Sequence, residues 1–233
     1  MFNELVKKIK EKKTLKNLDD SFVQELAEDY LKRNKIEKKK DFVKAVKEIR
    51  NYLNKIYGQF WGKEHKSYVE RKEIYHELYK KIFSLDNFKR IVDISCGMNI
   101  LSYNLIPDYK NKEFIVSELT ENDCIFLNKF FIEKKIKGKV YKIDLNKNFK
   151  LFGDISFFFK LLDLFSHKDA ERILESVNSK VKVVSFSKIN LKGKKMNYLR
   201  RGWFEIMIKR LNYEFEILNF KNEIFYILRR IRN

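Results

Sequence analysis

Val92-Asp93-Ile94-Ser95-Cys96-Gly97-Met98-Asn99 is the stretch of this chain that decides the fold. Apolar residues lead into an acidic position, small residues and a glycine follow, and the chain after Asn99 can start a helix. This order is typical of a buried parallel strand that passes into a helix in a nucleotide-type α/β domain. The glycine lets the backbone approach a ligand closely, and a helix start offers free N–H groups. One glycine turn is a weak signal alone, so the surrounding pattern has to support it.

Composition places the chain among globular proteins without a membrane span. Its 233 residues are 44% hydrophobic and include 21 Phe and 12 Tyr, enough to bury a sizeable core. No run of about 18 uncharged apolar residues occurs, and residues 1–13 are too charged for a signal peptide. We therefore expect a cytoplasmic protein with no membrane partner. Cys96, Cys124 and the three histidines lack metal-ligand spacing, so we expect neither a metal site nor a disulfide.

The formal net charge of +19 indicates a polyanionic partner, most simply a nucleic acid, because cationic side chains neutralise phosphates and release counterions. The alternative is a lysine-rich genome that only solvates the surface; heavy use of Lys, Glu and Ile would also suit a thermophile or an archaeal-type homologue. The uneven distribution favours the partner, since residues 188–233 hold 12 Lys and Arg against 4 Asp and Glu. The candidate nucleic-acid-binding residues fall within ten positions there: Lys192, Lys194, Lys195, Arg200 and Arg201.

By pattern the chain divides into a helical domain, residues 1–88, and a domain of alternating strands and helices, residues 89–233. Apolar residues recur at helical spacing in the first part, for example between Phe42 and Phe60. The second part predicts strands 90–95, 113–119, 138–143, 154–159 and 181–186, helices 121–135, 166–177 and 196–211, and a hairpin of 214–219 and 223–229. Such alternation favours a parallel sheet with covered faces and an antiparallel edge. Seven strands with the last reversed is the layout of class I, Rossmann-like methyltransferases that use S-adenosylmethionine (SAM), and we predict that α/β fold.

Residues at the strand ends are candidate ligand contacts, because a parallel sheet binds ligands beyond its carboxyl ends. Asp93 and Gly97 follow the first strand. Glu118 ends the second strand at a distance from Gly97 close to the ~20 residues expected for an acid that accepts both ribose hydroxyls. Asp144 ends the third strand, where a carboxylate can meet an adenine amino group. Each acid alone could instead be a solvated loop residue or a helix cap.

Further segments lie before the sheet, after its fourth and fifth strands, and towards the end of the chain. They are His65-Lys66-Ser67-Tyr68-Val69-Glu70-Arg71, Phe159-Lys160-Leu161-Leu162, Val184-Ser185-Phe186 with Leu191-Lys192-Gly193-Lys194-Lys195-Met196, Asn197-Tyr198, Trp203-Phe204-Glu205 and Glu223-Ile224-Phe225-Tyr226. With residues 93–99 they resemble the aminoglycoside-resistance 16S ribosomal RNA (guanine-N7) methyltransferases. The resemblance runs from about residue 65 to residue 230, and the order of the motifs is more diagnostic than any one of them.

The resemblance implies a SAM site. By it, Arg71 clamps the methionine carboxylate of SAM, which suits the two-pronged geometry of a guanidinium, and His65 and Ser67 shape the same pocket. Lys160 matches the strand-end lysine of the family and would lie near the methyl donor or the RNA as a positioning residue. The remaining cofactor-binding candidates adjoin these motifs and strand ends: Cys96, Asn99, Leu119, Leu145 and Phe159. A capping box is the alternative for Ser67 and Glu70, and a plain surface charge is the alternative for Arg71.

The implied chemistry needs no general base. Guanine N7 carries no proton and already has a lone pair, so transfer from a sulfonium can proceed by positioning and in-line geometry. We therefore predict that no side chain, including His65 and Asp93, acts as acid or base. The only proline is Pro107, so the Asp/Asn-Pro-Pro-aromatic motif of amino-methylases and the Pro-Cys nucleophile of cytosine C5 enzymes are absent.

The sequence departs from the family at a few positions, three of them on the substrate side. Ile100, Asp163 and Ser187 stand where the family usually has proline, and Arg200-Arg201 lengthen the segment before Trp203. The leading hypothesis is a monomeric SAM-dependent methyltransferase whose N-terminal helices and residues 192–201 grip ribosomal RNA or the small ribosomal subunit. A methyltransferase of another RNA or a small molecule, and a non-catalytic RNA-binding or ribosome-assembly factor, are the alternatives. Resistance and housekeeping roles both stay open.

Overall fold

The computed structural model describes residues 2–16, 18, 20–36, 38–57, 66–190 and 194–231. It divides into two compact units, Met1–Lys66 and Ser67–Asn233. Among the described helices, none is both long and apolar enough to cross a membrane.

The N-terminal unit is built from three amphipathic helices: α1 (Phe2–Lys10), α2 (Asp20–Arg33) and α3 (Lys39–Tyr57). A 3₁₀ turn, Lys13–Leu15, follows α1. Each helix buries one apolar stripe while its charged side chains stay in solvent. The buried residues are Leu5, Val6, Ile9, Phe22, Val23, Ala27, Ala45, Ile49 and Leu53. The prediction of helices in this part of the chain is confirmed.

The second unit begins earlier than the predicted domain, which started at residue 89. Its first elements are the helices α4 (Lys66–Arg71) and α5 (Tyr75–Phe83). Tyr75 and Tyr79 are 1% exposed and pack in one cluster with Phe157 of the central sheet. Because α5 buries its aromatic face on the sheet, it belongs to the sheet unit.

A seven-stranded sheet forms the centre of this unit, in the order β3-β2-β1-β5-β7-β9-β8. Its strands are β1 (Arg90–Asp93), β2 (Glu113–Glu118), β3 (Gly138–Lys142), β5 (Ile155–Phe159), β7 (Val181–Ser187), β8 (Tyr213–Asn219) and β9 (Glu223–Arg230). The pairs β1–β2, β2–β3, β1–β5 and β5–β7 are parallel, whereas β9 runs antiparallel to β7 and β8. The predicted fold class is confirmed, including the reversal of the last strand.

Helices cover both faces of the sheet. On one face, α5 and α6 (Glu121–Lys134) pack over a cluster that includes Val116 and Phe157. On the other face, α7 (His167–Glu175) and α8 (Gly202–Arg210) pack over Val92, Phe158 and Val184. Successive strand residues therefore bury side chains on opposite faces, which is why β5 reads as an unbroken apolar run.

Three local predictions need correction. The predicted helix 196–211 starts only at Gly202, because the side chain of Arg201 holds the preceding residues in an irregular loop. The helix expected after the β1 turn is a 3₁₀ helix, Asn99–Leu105. A small parallel sheet of β4 (Leu151–Phe152) and β6 (Val177–Asn178) was not predicted, since a two-residue strand has no detectable period.

Candidate functional site

The turn after β1 faces the carboxyl edge of the sheet. Asp93 ends β1, and its carboxylate accepts a hydrogen bond of 2.6 Å from the side-chain amide of Asn99. Ser95 and Gly97 both have positive φ angles, 49° and 52°. A left-handed conformation at a non-glycine residue such as Ser95 is strained and is often found at functional sites. The turn brings the Gly97 N–H to 2.5 Å from Oε1 of Glu118 at the end of β2.

Two carboxylates are buried at this edge with no cationic partner in direct contact among the described residues. Asp93 is 4% exposed and Glu118 is 7% exposed. Burial raises the pKa of Asp93 to about 7, although the hydrogen bond from Asn99 and the charge of Arg71 oppose the rise. Burial also raises the pKa of Glu118 to about 8 against the backbone N–H of Gly97. Strongly shifted acids in such a position are candidates for ligand contacts.

Two polar atoms beside these acids are buried and have no hydrogen-bond partner among the described residues. They are Oδ1 of Asn99 and the hydroxyl of Tyr75. A buried polar atom without a partner is costly, and native proteins rarely contain one unless a ligand or water satisfies it. The arrangement therefore fits a polar ligand with both hydrogen-bond donors and acceptors.

A buried ionic cluster lies next to the acids. The Nε atom of Arg71 lies 3.0 Å from both carboxylate oxygens of Glu223, and the side chains are only 4% and 2% exposed. Although burial alone would lower the pKa of Arg71, the charge of Glu223 raises it above its usual value, so the guanidinium stays charged. It also lies over the ring of Phe159, 4.9 Å from the centroid. Both hydrogen bonds to Glu223 come from Nε, and the guanidinium also interacts electrostatically with the hydroxyl of Tyr75.

Lys160 joins this cluster from the end of β5. Its φ angle is 53°, a second left-handed non-glycine residue at the carboxyl edge, and its backbone N–H donates to Ser185 Oγ at 3.0 Å. Its ammonium lies 2.6 Å from Glu70 and 3.4 Å from Glu223. The hydroxyl of Ser185 in turn donates to Glu223 at 2.5 Å. The structure thus holds two cations and two carboxylates in one network, in which Arg71 and Glu223 are buried and Lys160 and Glu70 are half-buried.

The other cofactor-binding candidates are dispersed around this edge. Cys96, Leu145 and Phe159 are buried, and Leu119 is half-buried with its N–H 3.4 Å from Glu118. The carboxylate of Asp144 accepts from the backbone and side-chain N–H groups of Asn146, a local turn contact that any loop aspartate can make. The predictions for His65 and for the side chain of Ser67 lie outside the described residues.

The predicted nucleic-acid-binding residues separate into two groups. Lys194 and Lys195 are exposed, and Lys192 lies outside the described residues. Arg200 is bound through two nitrogens to Glu205, at 2.7 and 2.6 Å. Arg201 is 7% exposed, and its guanidinium donates to Asp163 and to the backbone oxygen of Ser187. In this structure its guanidinium donors therefore hold the loop, and a contact of Arg201 with a phosphate stays a prediction.

Sequence reasoning missed Glu223 and Ser185 as site residues and read Glu70 only as a helix cap. Glu223 is 152 positions from Arg71 along the chain, so no local spacing joins them. One signal was available: a glutamate at the first position of an otherwise apolar strand, Glu223-Ile224-Phe225-Tyr226, opposite the strand that ends in Ser185-Phe186-Ser187. A charged residue in a buried strand requires a partner.

Comparison with known protein families identifies the chain. A family model described as ribosomal RNA methyltransferase (FmrO) matches residues 43–227. The chain belongs to this family. The motif resemblance drawn from the sequence is confirmed, and an FmrO-family protein is an enzyme that methylates ribosomal RNA with SAM as methyl donor. A sequence comparison with curated proteins finds no significant match.

Solved structures of ribosomal RNA methylases share the fold. The 16S rRNA methylase RmtB aligns at a TM-score of 0.74 and 20% identity, over 99% of each chain. An rRNA methylase from Escherichia coli aligns at 0.68 and 19%, over 99% of this chain and 100% of that one. The 16S rRNA methyltransferase RmtF, in complex with S-adenosyl-L-homocysteine, aligns at 0.69 and 14%, over 99% and 98%. The likeness extends over both the helical unit and the sheet unit.

Proposed function

We propose that this FmrO-family enzyme methylates N7 of a guanine in 16S ribosomal RNA within the small ribosomal subunit. The observation that carries the proposal is the ionic network of Arg71, Glu223 and Lys160 beside the two desolvated acids, Asp93 and Glu118. RmtB and RmtF, which share the fold over nearly the whole chain, are 16S rRNA methylases. A cytoplasmic monomer is part of the same proposal.

The residues at the carboxyl edge fit SAM. Arg71 would bind the methionine carboxylate through its terminal nitrogens, since a guanidinium matches a carboxylate in a two-pronged geometry. Glu118 would accept hydrogen bonds from the ribose hydroxyls, and Asp93 with the unpartnered Oδ1 of Asn99 would accept from the ammonium group. Asp144 is the candidate for the adenine amino group.

The cofactor-site proposal includes the remaining candidates named from the sequence. The residues that would form the walls of the pocket are His65, Ser67, Cys96, Gly97, Leu119, Leu145 and Phe159. Gly97 has the clearest physical role, because its N–H fixes the Glu118 carboxylate and a side chain at its φ of 52° would be strained.

When bound, SAM supplies an electrophilic methyl group on its sulfonium. The protein's task is then to align an unprotonated ring nitrogen, and no side chain has to remove a proton. Lys160 serves as a positioning residue: its charge is balanced by Glu70 and Glu223, and its left-handed backbone fixes the loop after β5.

The loop before α8 and the helical unit would bind the RNA. Lys194 and Lys195 are exposed on that loop, and the Tyr198 ring is 83% exposed, free to stack on a base. Residues 1–66 carry 18 Lys and Arg against 11 Asp and Glu, so this unit also attracts phosphates.

Methyl transfer from labelled SAM tests the proposal on three substrates: purified small subunits, bare 16S rRNA and transfer RNA. Arg71→Ala is compared with Arg210→Ala, which removes an exposed arginine that pairs with Glu171. We expect transfer to a 16S rRNA substrate by the wild type and by Arg210→Ala. Arg71→Ala should bind S-adenosylhomocysteine at least about 30-fold more weakly, on the order of 2 kcal/mol.

Cooperative thermal unfolding of each variant separates a binding defect from a folding defect. Transfer to transfer RNA alone, or transfer by Arg71→Ala at the wild-type rate, would contradict the proposed substrate or the proposed pocket respectively.

A further inference from the structure

A groove at the opposite end of the sheet carries charge that the proposed reaction does not use. It has a volume of about 520 Å³ and lies at the amino ends of β1, β2, β5 and β7, beside the end of β4. Because these strands are parallel, their amino ends share one edge, whereas Asp93, Glu118 and Lys160 lie at the other. The five residues of β5 separate the two edges by roughly 16 Å. The groove is therefore distinct from the cofactor site.

Positive charge in the groove exceeds negative charge. Its charged lining residues are Lys89, Arg90, Lys137, Lys180, Glu113 and Asp154. Glu113 is paired with Arg90 at 2.7 Å. Asp154 accepts the backbone N–H groups of Lys89 and Arg90 at 2.8 Å each. Lys89, Lys137 and Lys180 are exposed, and none forms an ion pair within 4 Å in the part of the chain that the structure describes. The charge of Lys180 helps to lower the pKa of Asp154, yet all three ammonium groups stay exposed and can face an anionic ligand.

An aromatic ring lies beside these lysines on a rigid support. Phe152 is 59% exposed, and its backbone pairs with Asn178 in the small sheet of β4 and β6. The next residue, Gly153, packs so closely on β1 that an added Cβ would lie 2.6 Å from Cγ2 of Val92. Because its backbone is fixed in this way, the Phe152 ring stays at the surface and does not pack into the hydrophobic core.

We propose that this groove binds a single-stranded stretch of ribosomal RNA away from the target nucleotide, with phosphates on Lys89, Lys137 and Lys180 and a base stacked on Phe152. Proteins that bind single-stranded nucleic acids combine a cationic groove with exposed aromatic rings, because every base has a π face that can stack. A free phosphate would use the cations and leave the ring without a role. The proposal rests on the proposed function, since it takes ribosomal RNA to be the substrate.

Binding to purified small ribosomal subunits at 50 to 200 mM KCl tests the groove. The variant Lys89→Gln/Lys137→Gln/Lys180→Gln is compared with Lys129→Gln/Lys134→Gln/Lys209→Gln, which removes three exposed lysines of α6 and α8 that do not line the groove. We expect the groove variant to bind about 10-fold more weakly, with a salt slope shallower by about 0.7 for each phosphate that the protein no longer neutralises. Phe152→Ala should weaken binding about 10-fold with an unchanged slope.

The affinity for S-adenosylhomocysteine should be the same in all variants, which reports an intact fold and cofactor site. A groove variant that matches the control variant in affinity and slope overturns the proposal, and so does Phe152→Ala with wild-type affinity. If the wild type transfers no methyl group to the subunits, the proposed function fails and the groove proposal fails with it. If the wild type methylates the subunits and the groove variants bind them as tightly as the wild type, only the groove proposal is overturned.

Discussion

Burial of the Glu118 carboxyl group costs the folded protein stability wherever the group is ionised. Its pKa is raised to about 8, so the folded protein holds a proton on it at pH values where the unfolded chain, with a pKa near 4.5, is already ionised. The folded state therefore binds more protons between about pH 4.5 and pH 8, and stability falls as pH rises through that window. Above about pH 8 the folded protein carries the full free-energy cost of a buried carboxylate.

We expect Glu118→Gln to remove this penalty. At pH 8 and without ligand, the variant should melt about 2–4 °C above the wild type, which corresponds to roughly 1 kcal/mol. It should also lose most of its affinity for S-adenosylhomocysteine. Thermal unfolding from pH 5 to pH 9 measures the first effect and calorimetric titration the second. Glu133→Gln, at an exposed position of α6, is the control, and an unchanged or lower melting temperature in Glu118→Gln at pH 8 would argue against a buried charge.

Glu223 forms ion pairs with both Arg71 and Lys160. Replacing one member of a buried ion pair leaves its partner uncompensated, which costs about 3–5 kcal/mol. Glu223→Gln should therefore lower the melting temperature by several degrees and raise the KM for SAM, because Arg71 loses its anchor.

The double variant Arg71→Met/Glu223→Leu distinguishes a structural role from a positioning role. A hydrophobic pair of similar volume replaces a buried ion pair at little cost, so stability should largely recover. SAM binding should not recover, since the guanidinium that we propose to bind the methionine carboxylate is gone. Recovery of both properties in the double variant would refute the role assigned to Arg71. Recovery of neither would show that the pair with Arg71 is not the only contact through which Glu223 stabilises the fold.

At the scale of elements, the loop between β7 and α8 depends on one arginine. Arg201 donates to Asp163, to Ser187 and to the oxygens of Tyr198 and Leu199, so a single guanidinium spans the loop. A lysine keeps the charge but lacks this planar fork. We expect Arg201→Lys to lower kcat/KM for small subunits about 10-fold while the affinity for S-adenosylhomocysteine stays within about 2-fold.

Arg200→Lys is the matched control for this loop, because the Arg200 side chain is largely exposed where it pairs with Glu205. Exposed pairs of this kind contribute about 0–1 kcal/mol, so its activity should stay close to the wild type. Equal losses of activity in the two variants would mean that both arginines contact RNA directly, as the charge pattern of the sequence predicts.

The elements that the sequence predicted well are those in which apolar residues recur at a regular spacing. The alternation of apolar strands and amphipathic helices from residue 90 onward predicted a mainly parallel sheet with covered faces and a reversed last strand. The predicted helix 166–177 is also present as α7, and Ser166 caps it by accepting the Asp169 N–H at 3.2 Å. The start of α8 was not predictable, since the competing interaction is the tertiary contact between Arg201 and Asp163.

The site residues also fall into those that the sequence predicted and those that it did not. The positions of Asp93, Gly97 and Glu118 follow from strand ends and chain spacing, and the structure brings these residues together. Glu223 reaches Arg71 only through the reversed last strand, a contact that depends on the completed sheet. Local patterns locate strand ends, whereas the partners of buried charges are set by packing between distant segments.

At the scale of the whole molecule, the two ends of the sheet differ in how far their charged side chains are exposed and paired. At the carboxyl edge, Arg71 is buried, Lys160 is half-buried, and both are neutralised by Glu70 and Glu223, which suits a cofactor pocket. At the amino edge and over the helical unit, cations stay exposed and in excess, which suits a polyanion. We therefore assign the net charge of +19 to the proposed RNA-binding surfaces rather than to the cofactor site.

The central claim is that this enzyme transfers a methyl group to N7 of one guanine in 16S rRNA without a general base. The most direct test is to methylate small subunits with labelled SAM, reduce the extracted 16S rRNA with borohydride, cleave it with aniline, and map strand breaks by primer extension. Borohydride reduces the cationic ring of N7-methylguanine, and the strand then breaks there under aniline. The account predicts one break, at a guanine, that requires enzyme and SAM and is absent with Arg71→Ala. Incorporated label without any aniline-induced break would place the methyl group on another atom and contradict the claim.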